Sequence, residues 1–324
     1  MATDCMTRTS TGYTVYGKDY FKDGTGIVPF NHPAAYTDEC TNLEIRDDDF
    51  YFTGWPRTGN HLCVELIQCV QNNGDLEWLK NTHIHDRVTM LNLDKGFVQG
   101  KLKMSEYGEN PLISLAEAPS PRFLWGPHHA YEFSPRGLQK PEKCKVIIGY
   151  RNPKASYSSV FHIFQEWTTK SGLFTEQFSW EDYIAACLTG KSSDFVCDGG
   201  SWFDFYKQWW ENRNENMYFL CFEQIIKDCP KVIKELANFL GKSLTDEQVR
   251  TIADHIKFDN LKGSDAFGNA FKHIKSLEEG QSSHMRKGTI DDWKNSFTVA
   301  QSEQFDKLYE EKMKGIGFPE PIYE

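Results

Sequence analysis

Two stretches of this chain share one pattern, and that pattern leaves few folds open. The first is the apolar run Asp49-Phe50-Tyr51-Phe52-Thr53, stopped by Gly54-Trp55-Pro56-Arg57-Thr58-Gly59-Asn60-His61. Leu62, Leu66, Ile67 and Val70 then recur at helical spacing up to Asn73-Gly74. The second is Val146-Ile147-Ile148-Gly149-Tyr150, followed by Arg151-Asn152-Pro153, where Asn152 can cap a helix and Pro153 fits its first position. A third strand is expected at Met217–Phe222, and Val232, Ile233, Leu236, Ala237 and Leu240 mark one face of a helix ending at Gly241. Strands alternating with helices specify an α/β fold, here a single domain with a central, mostly parallel sheet flanked by helices. Capping boxes at Thr245/Gln248 and Thr298/Gln301 open two further helices. Such sheets bind ligands beyond the carboxyl ends of their strands, where loops 54–61 and 151–154 both emerge.

The length of 324 residues, with 9 Trp, 14 Tyr and 23 Phe, suits one thick-cored domain that buries about three quarters of its unfolded surface. No repeat, low-complexity tract or charged linker divides it. The expectation is an N-terminal arm over 1–46, weakly periodic and rich in Gly, Asp and Tyr, packing on a domain over 47–324. A net charge of −10 argues against nucleic acid or an anionic membrane as partner, so any anion has to be held by a few placed cations. No run reaches the roughly 18 apolar residues of a membrane span. The start MATDCMTRTS lacks the apolar stretch of a secretory signal, and a soluble, cytoplasmic protein is expected. Nine cysteines (5, 40, 63, 69, 144, 187, 197, 221 and 229) contain no CxxC pair and read as free thiols, with no metal site.

Loop 54–61 has the ingredients of an anion cradle: two glycines, Arg57, the polar side chains of Thr58 and Asn60, and a helix start behind them. By itself it serves equally as a plain strand-to-helix turn, and it lacks the GK[ST] ending of a nucleoside-triphosphatase loop. Further signals are Arg151-Asn152-Pro153-Lys154 with Ser159, and Arg286-Lys287-Gly288 leading to Asp292-Trp293-Lys294-Asn295-Ser296-Phe297-Thr298-Val299-Ala300-Gln301. With Pro56-Arg57-Thr58-Gly59-Asn60-His61-Leu62, these three motifs resemble, in the same order, the phosphosulfate loop, the RNPKD-type segment and the RKGxxGDWKxxFTVAQ segment of the cytosolic sulfotransferase family. The resemblance runs from about Asp47 to Met313 and includes Gly200-Ser201-Trp202 and Trp209-Trp210.

The resemblance implies a P-loop-like phosphosulfate-binding loop and 3′-phosphoadenosine 5′-phosphosulfate as donor, with no metal. Arg57, Thr58, Gly59, Asn60 and His61 would hold the 5′-phosphosulfate, and Arg151, Ser159, Arg286, Lys287 and Gly288 the 3′-phosphate. An arginine fork suits phosphate oxygens. Phe258 matches an adenine-contacting aromatic; Phe222 stands where the family has tyrosine, and Leu62 where it has tryptophan. Arg57 takes the place of the loop lysine that stabilises the leaving phosphate. The family's catalytic histidine lies in a KTH segment, matched by Pro121-Arg122-Phe123-Leu124-Trp125-Gly126-Pro127-His128-His129, with Trp125 in the lysine's place and one extra residue. His128 is the expected general base and His129 the fallback.

Lys294-x-x-x-Thr298-Val299-x-x-x-Glu303 matches the family's dimer motif and implies a homodimer through Lys294–Glu303; a capped helix start is the plainer reading. The partner is otherwise a small-molecule acceptor, a hydroxyl or an amine. Segments 75–118 and 262–282 are expected as pocket walls, with Leu91, Leu93, Phe97, Phe123, Trp125, Phe161, Phe164, Phe267 and Phe271 as apolar lining or ordinary core. Two rival readings stay open: a nucleotide-binding pseudoenzyme, suggested by Arg57, Leu62 and Trp125, and a P-loop kinase.

Overall fold

The computed structural model describes residues 6–8, 12–15, 18–21, 38–91, 111–171, 179–188, 200–267 and 285–324. Near the start, β1 (Met6–Arg8), β2 (Gly12–Val15) and β3 (Lys18–Phe21) form a three-stranded antiparallel sheet, pairing Met6 with Val15 and Gly12 with Phe21. The weak periodicity of this region concealed strands of three and four residues, too short to display alternation.

The apolar runs become one five-stranded sheet: β4 (Phe50–Gly54), β5 (Thr89–Met90), β6 (Phe123–Trp125), β7 (Lys145–Tyr150) and β8 (Met217–Cys221), in the order β5-β6-β4-β7-β8. Every pairing is parallel, with Phe50 opposite both Phe123 and Lys145, and Val146 opposite Met217. Alternate residues point to opposite faces. Tyr51, Leu124, Val146 and Ile148 enter one core cluster, while Phe50, Phe52, Phe123, Trp125 and Ile147 enter the other. Cover on both faces explains why the strands read as unbroken apolar runs. Each such side chain, fully buried, contributes roughly 1.5–3 kcal/mol.

Helix α1 (Asn60–Gln71), with α6 (Cys229–Phe239) and α7 (Asp246–His255), covers the second face through Val64, Ile67, Val232, Leu236 and Ile252. Helices α2 (Pro153–Ser171), α3 (Trp180–Leu188), α4 (Trp202–Glu211) and α8 (Val299–Met313) cover the first through Tyr157, Tyr183, Trp202 and Phe305. The short α5 (Phe222–Lys227) follows β8 directly. Both expected capping boxes form, and a third opens α4 at Ser201/Asp204. Buried Lys154 anchors α8 to α2, its Nζ 2.6 Å from Asp306 and 4.7 Å from the Trp293 ring. Before β4, Cys40 is buried while Leu43 and Ile45 pack against the core.

The seven described cysteines are free, and all but Cys229 are buried; Cys5 and Cys197 lie outside the described residues. Of the apolar side chains expected as pocket or core, Leu91, Phe123, Trp125 and Phe267 are core and Phe161 packs against it. Leu93, Phe97 and Phe271 lie outside the described residues, as does the side chain of Phe164. Among the described residues, no helix is long and apolar enough to cross a membrane.

Candidate active site

The carboxyl ends of four strands deliver the candidate residues to one rim: loop 55–59 after β4, His128 after β6, Arg151 after β7 and Phe222 after β8. The strand order reverses about β4, the place where parallel sheets open a ligand crevice. The loop is shaped by its own side chains. Thr58 Oγ1 donates to the Trp55 carbonyl at 2.7 Å, and Asn60 Nδ2 donates to the Gly54 and Trp55 carbonyls, both at 3.2 Å. Gly59, at φ 85°, starts α1 with no side-chain cap and no acidic residue in the first turn. That leaves backbone N–H groups and the positive end of the helix for an anion. Gly59 is also required sterically, because a Cβ there would lie 2.5 Å from Phe222 Cδ2.

His128 and Arg57 share an unusual feature: both adopt left-handed backbone at φ 63°. Residues other than glycine are held in that region at a cost, and functional sites are where such cases gather. His128 is partly buried, with Nδ1 3.0 Å from the Gly54 carbonyl. Asn60 Nδ2 also lies 3.3 Å from Nδ1, but the carbonyl is closer and only accepts, which favours the tautomer with the proton on Nδ1 and the lone pair on Nε2. Burial, reinforced by the Arg57 charge and opposed by the Gly54 hydrogen bond, lowers the imidazole pKa to about 4. The ring is therefore neutral around pH 7. The fallback His129 is buried beneath, its backbone carbonyl accepting from Thr53 Oγ1 at 3.2 Å.

Arg151 joins the three motifs. Its guanidinium donates from one end to the Arg57 carbonyl at 3.3 Å and from the other to the Thr289 carbonyl at 3.0 Å, beside Gly288. It stands 4.4 Å from the Phe222 ring centroid, while Arg57 Nε donates to Ser159 Oγ at 3.0 Å. Burial lowers the Arg151 pKa and Glu223 opposes that shift, with neighbouring Arg286 adding to it. Arg286 and Lys287 both reach the Asp292 carboxylate, as does Asn295. Burial works against ionisation of Asp292, but its bonds to Lys287, Asn295 and Arg286 hold its pKa at about 2. Gly288, at φ 71°, lies against Phe258; a Cβ there would sit 2.2 Å from the ring.

The side chains of three expected ligands, His61, Phe222 and Leu62, are engaged in packing. The His61 ring faces the core, its Nε2 3.0 Å from His85 Nε2 and its plane edge-on to Trp125. Its backbone at the start of α1 remains on the rim. Phe222 is 6% exposed, packed between Gly59 and Arg151, which makes it a spacer between the two phosphate-binding candidates. Leu62 packs against the second core cluster.

Reasoning from sequence missed Glu223, His85 and His162, and gave Asp292 no role beyond its place in the motif. Glu223 is adjacent to Phe222 and Asp292 is six residues after Arg286, but nothing at either position marks a charge partner. His162 stands one turn beyond Ser159, and burial, with Arg286 next, lowers its pKa. Among the described residues, Glu65, Cys69 and His255 cluster with metal-ligand chemistry, yet the Glu65 carboxylate already accepts from Arg87 at 2.6 Å and bonds His255 at 2.7 Å.

Comparison with known proteins bears on the family and the fold. The family model described as a sulfotransferase domain matches residues 47–317. The chain belongs to the sulfotransferase family. Among its sulfotransferase relatives, sulfotransferase 1B1 of Mus musculus is 32% identical over 268 residues, 82% of this chain and 83% of the relative. Sulfotransferase 1E1 of Bos taurus is 30% identical over 92% of this chain and 94% of its own. The fold is shared with a retinol dehydratase solved with androsterone and the inactive cofactor PAP, at TM-score 0.72 and 22% identity, covering 87% of this chain and 85% of that one. Mouse sulfotransferase SULT7A1 complexed with PAP aligns at TM-score 0.67 and 23% identity over 96% of both chains.

Proposed function

We propose that this sulfotransferase moves a sulfuryl group from 3′-phosphoadenosine 5′-phosphosulfate to the hydroxyl or amine of a small, apolar or aromatic acceptor. One observation carries the reading: Arg151 ties the Arg57 loop, just before the uncapped start of α1, to Thr289 beside Gly288. This supports a reading with two anion-binding candidates on one rim, as a nucleotide with separate 5′ and 3′ charges requires. A kinase needs only one of them. The residues fit that donor, since the start of α1 offers uncapped backbone N–H groups and the Arg151 guanidinium stands beside Gly288.

In this reading Arg57, Thr58, Gly59, Asn60, His61 and Leu62 cradle the phosphosulfate end, mainly through the α1 N-terminus. Arg151, Ser159, Arg286, Lys287 and Gly288 take the 3′-phosphate, and Phe258 with Phe222 bounds the adenine side. Transfer of this kind asks the protein to align the partners in line and to stabilise charge on the departing oxygen. Arg57 does the second by donating to that oxygen. His128 Nε2 takes the acceptor's proton while Nδ1–H stays on the Gly54 carbonyl, which fixes the ring for the task.

The enzyme is proposed to be a cytoplasmic homodimer joined through Lys294–Glu303, where Val299 is 77% exposed. The 1–46 arm is proposed to pack on the domain, with Leu43 and Ile45 already against its core. Trp125, packed against His61 and His85, favours one alternative, a pseudoenzyme that binds donor without turnover. Calorimetry with 3′-phosphoadenosine 5′-phosphate and adenosine 5′-monophosphate tests the donor site. Strong preference for the former is expected; equal binding would sink the reading. Transfer of labelled sulfate from the donor in an acceptor screen then separates enzyme from pseudoenzyme.

A further inference from the structure

The carboxylate behind Arg151 does more than balance a charge. Glu223 follows Phe222 in α5, and its side chain is 1% exposed. Its Oε1 accepts from the Asn152 backbone N–H at 3.0 Å and from Asn152 Nδ2 at 3.2 Å, and lies 3.9 Å from Arg151 Nε. Its Oε2 accepts from the Cys221 thiol at 3.4 Å. Asn152 in turn caps α2, its Oδ1 accepting from the Ala155 N–H at 2.7 Å, and α2 carries Ser159. One side chain thereby braces both the guanidinium and the helix that presents the hydroxyl.

A carboxylate this deep is costly to desolvate, and an apolar side chain of similar volume would fill the space with less penalty. What an apolar group lacks is the ability to orient its neighbours. We infer that Glu223 is a positioning residue for nucleotide recognition: it sets the preference for a 3′-phosphate by aiming Arg151 and the first turn of α2, without itself touching the nucleotide. The inference rests on the reading of Arg151 and Ser159 as 3′-phosphate ligands. It locates selectivity in the hydrogen bonds of Oε1 to Asn152, the contact with Arg151 Nε being an ion pair beyond hydrogen-bond length, so geometry at Oε1 should matter more than charge.

Two substitutions in the full chain separate those contributions. Glu223→Gln keeps an acceptor at Oε1 and removes the charge; Glu223→Asp keeps the charge and withdraws the acceptor from Asn152. The quantity read is the ratio of calorimetric affinities for 3′-phosphoadenosine 5′-phosphate over adenosine 5′-monophosphate, with thermal melts verifying the fold. Glu223→Asp should lower the ratio about tenfold or more, and Glu223→Gln should stay within about threefold of wild type. A wild-type ratio in Glu223→Asp overturns the inference. So does an equal fall in both variants, or a loss of affinity shared by both nucleotides. Should Glu223→Asp fail to fold, Glu223→Gln decides alone, and a fall beyond about threefold overturns the inference. A wild-type protein with no preference between the nucleotides defeats the donor reading itself, an outcome distinct from a selective wild type with equally selective variants.

Discussion

Replacing His128 by Asn should remove one titration from the folding equilibrium, and its size follows from the site. Asn can still donate to the Gly54 carbonyl, the partner of His128 Nδ1 at 3.0 Å, and it tolerates left-handed backbone better than His does. Native His128 takes up its proton only near pH 4 because burial penalises the cation, whereas the unfolded side chain does so near pH 6.5. Between those values the unfolded state binds more protons, so stability falls as pH falls from 6.5 toward 4. Integrated from pH 7 to pH 5, the imidazole accounts for about 2 kcal/mol of lost stability. Urea unfolding of wild type and variant at both pH values gives the double difference, in which carboxylates and the altered backbone preference cancel. Wild type should lose about 2 kcal/mol more than the variant. In parallel, wild-type kcat/KM should lose no activity through His128 down to pH 5, and the variant should lose turnover while keeping nucleotide affinity. A double difference below about 0.5 kcal/mol, or a rate that falls with a midpoint near pH 6.5, would refute the burial argument.

Arg151→Ala should weaken 3′-phosphoadenosine 5′-phosphate by roughly 10–100-fold, the worth of a charge-assisted contact, and adenosine 5′-monophosphate far less; equal losses in calorimetry would reject the assignment. Gly59→Ala should destabilise the fold by about 1–3 kcal/mol, since its Cβ meets Phe222 at 2.5 Å in a φ of 85°; an unchanged melting temperature would count against the loop geometry. Val299→Glu should convert the dimer to a monomer in light scattering at micromolar concentration, and a wild type with the mass of one chain would remove the dimer from the proposal.

The two strand–turn–helix units were legible because each buried strand is a short unbroken apolar run and each turn ends in a residue with one structural use. Gly59 occurs at positive φ and Asn152 caps α2 with Pro153 at its first position. Alternation between two core clusters is invisible in such runs, so the sheet was readable and its facing was not. His128 and Arg57 were reached through motif position, but their left-handed backbone leaves no trace in sequence. Glu223 and Asn152 stand 71 residues apart and meet only because β7 and β8 are adjacent. Likewise the place of His61 in the loop says nothing of its ring, which packing against His85 and Trp125 turns inward.

The two hydrogen bonds of the Arg151 guanidinium span 94 and 138 residues of chain. During synthesis, β7 and Arg151 leave the ribosome well before Thr289 is made. Closure of such long loops comes late in folding, after the local strand and helix contacts. On the proposed reading, a nucleotide bound across this rim would favour its closed form by mass action.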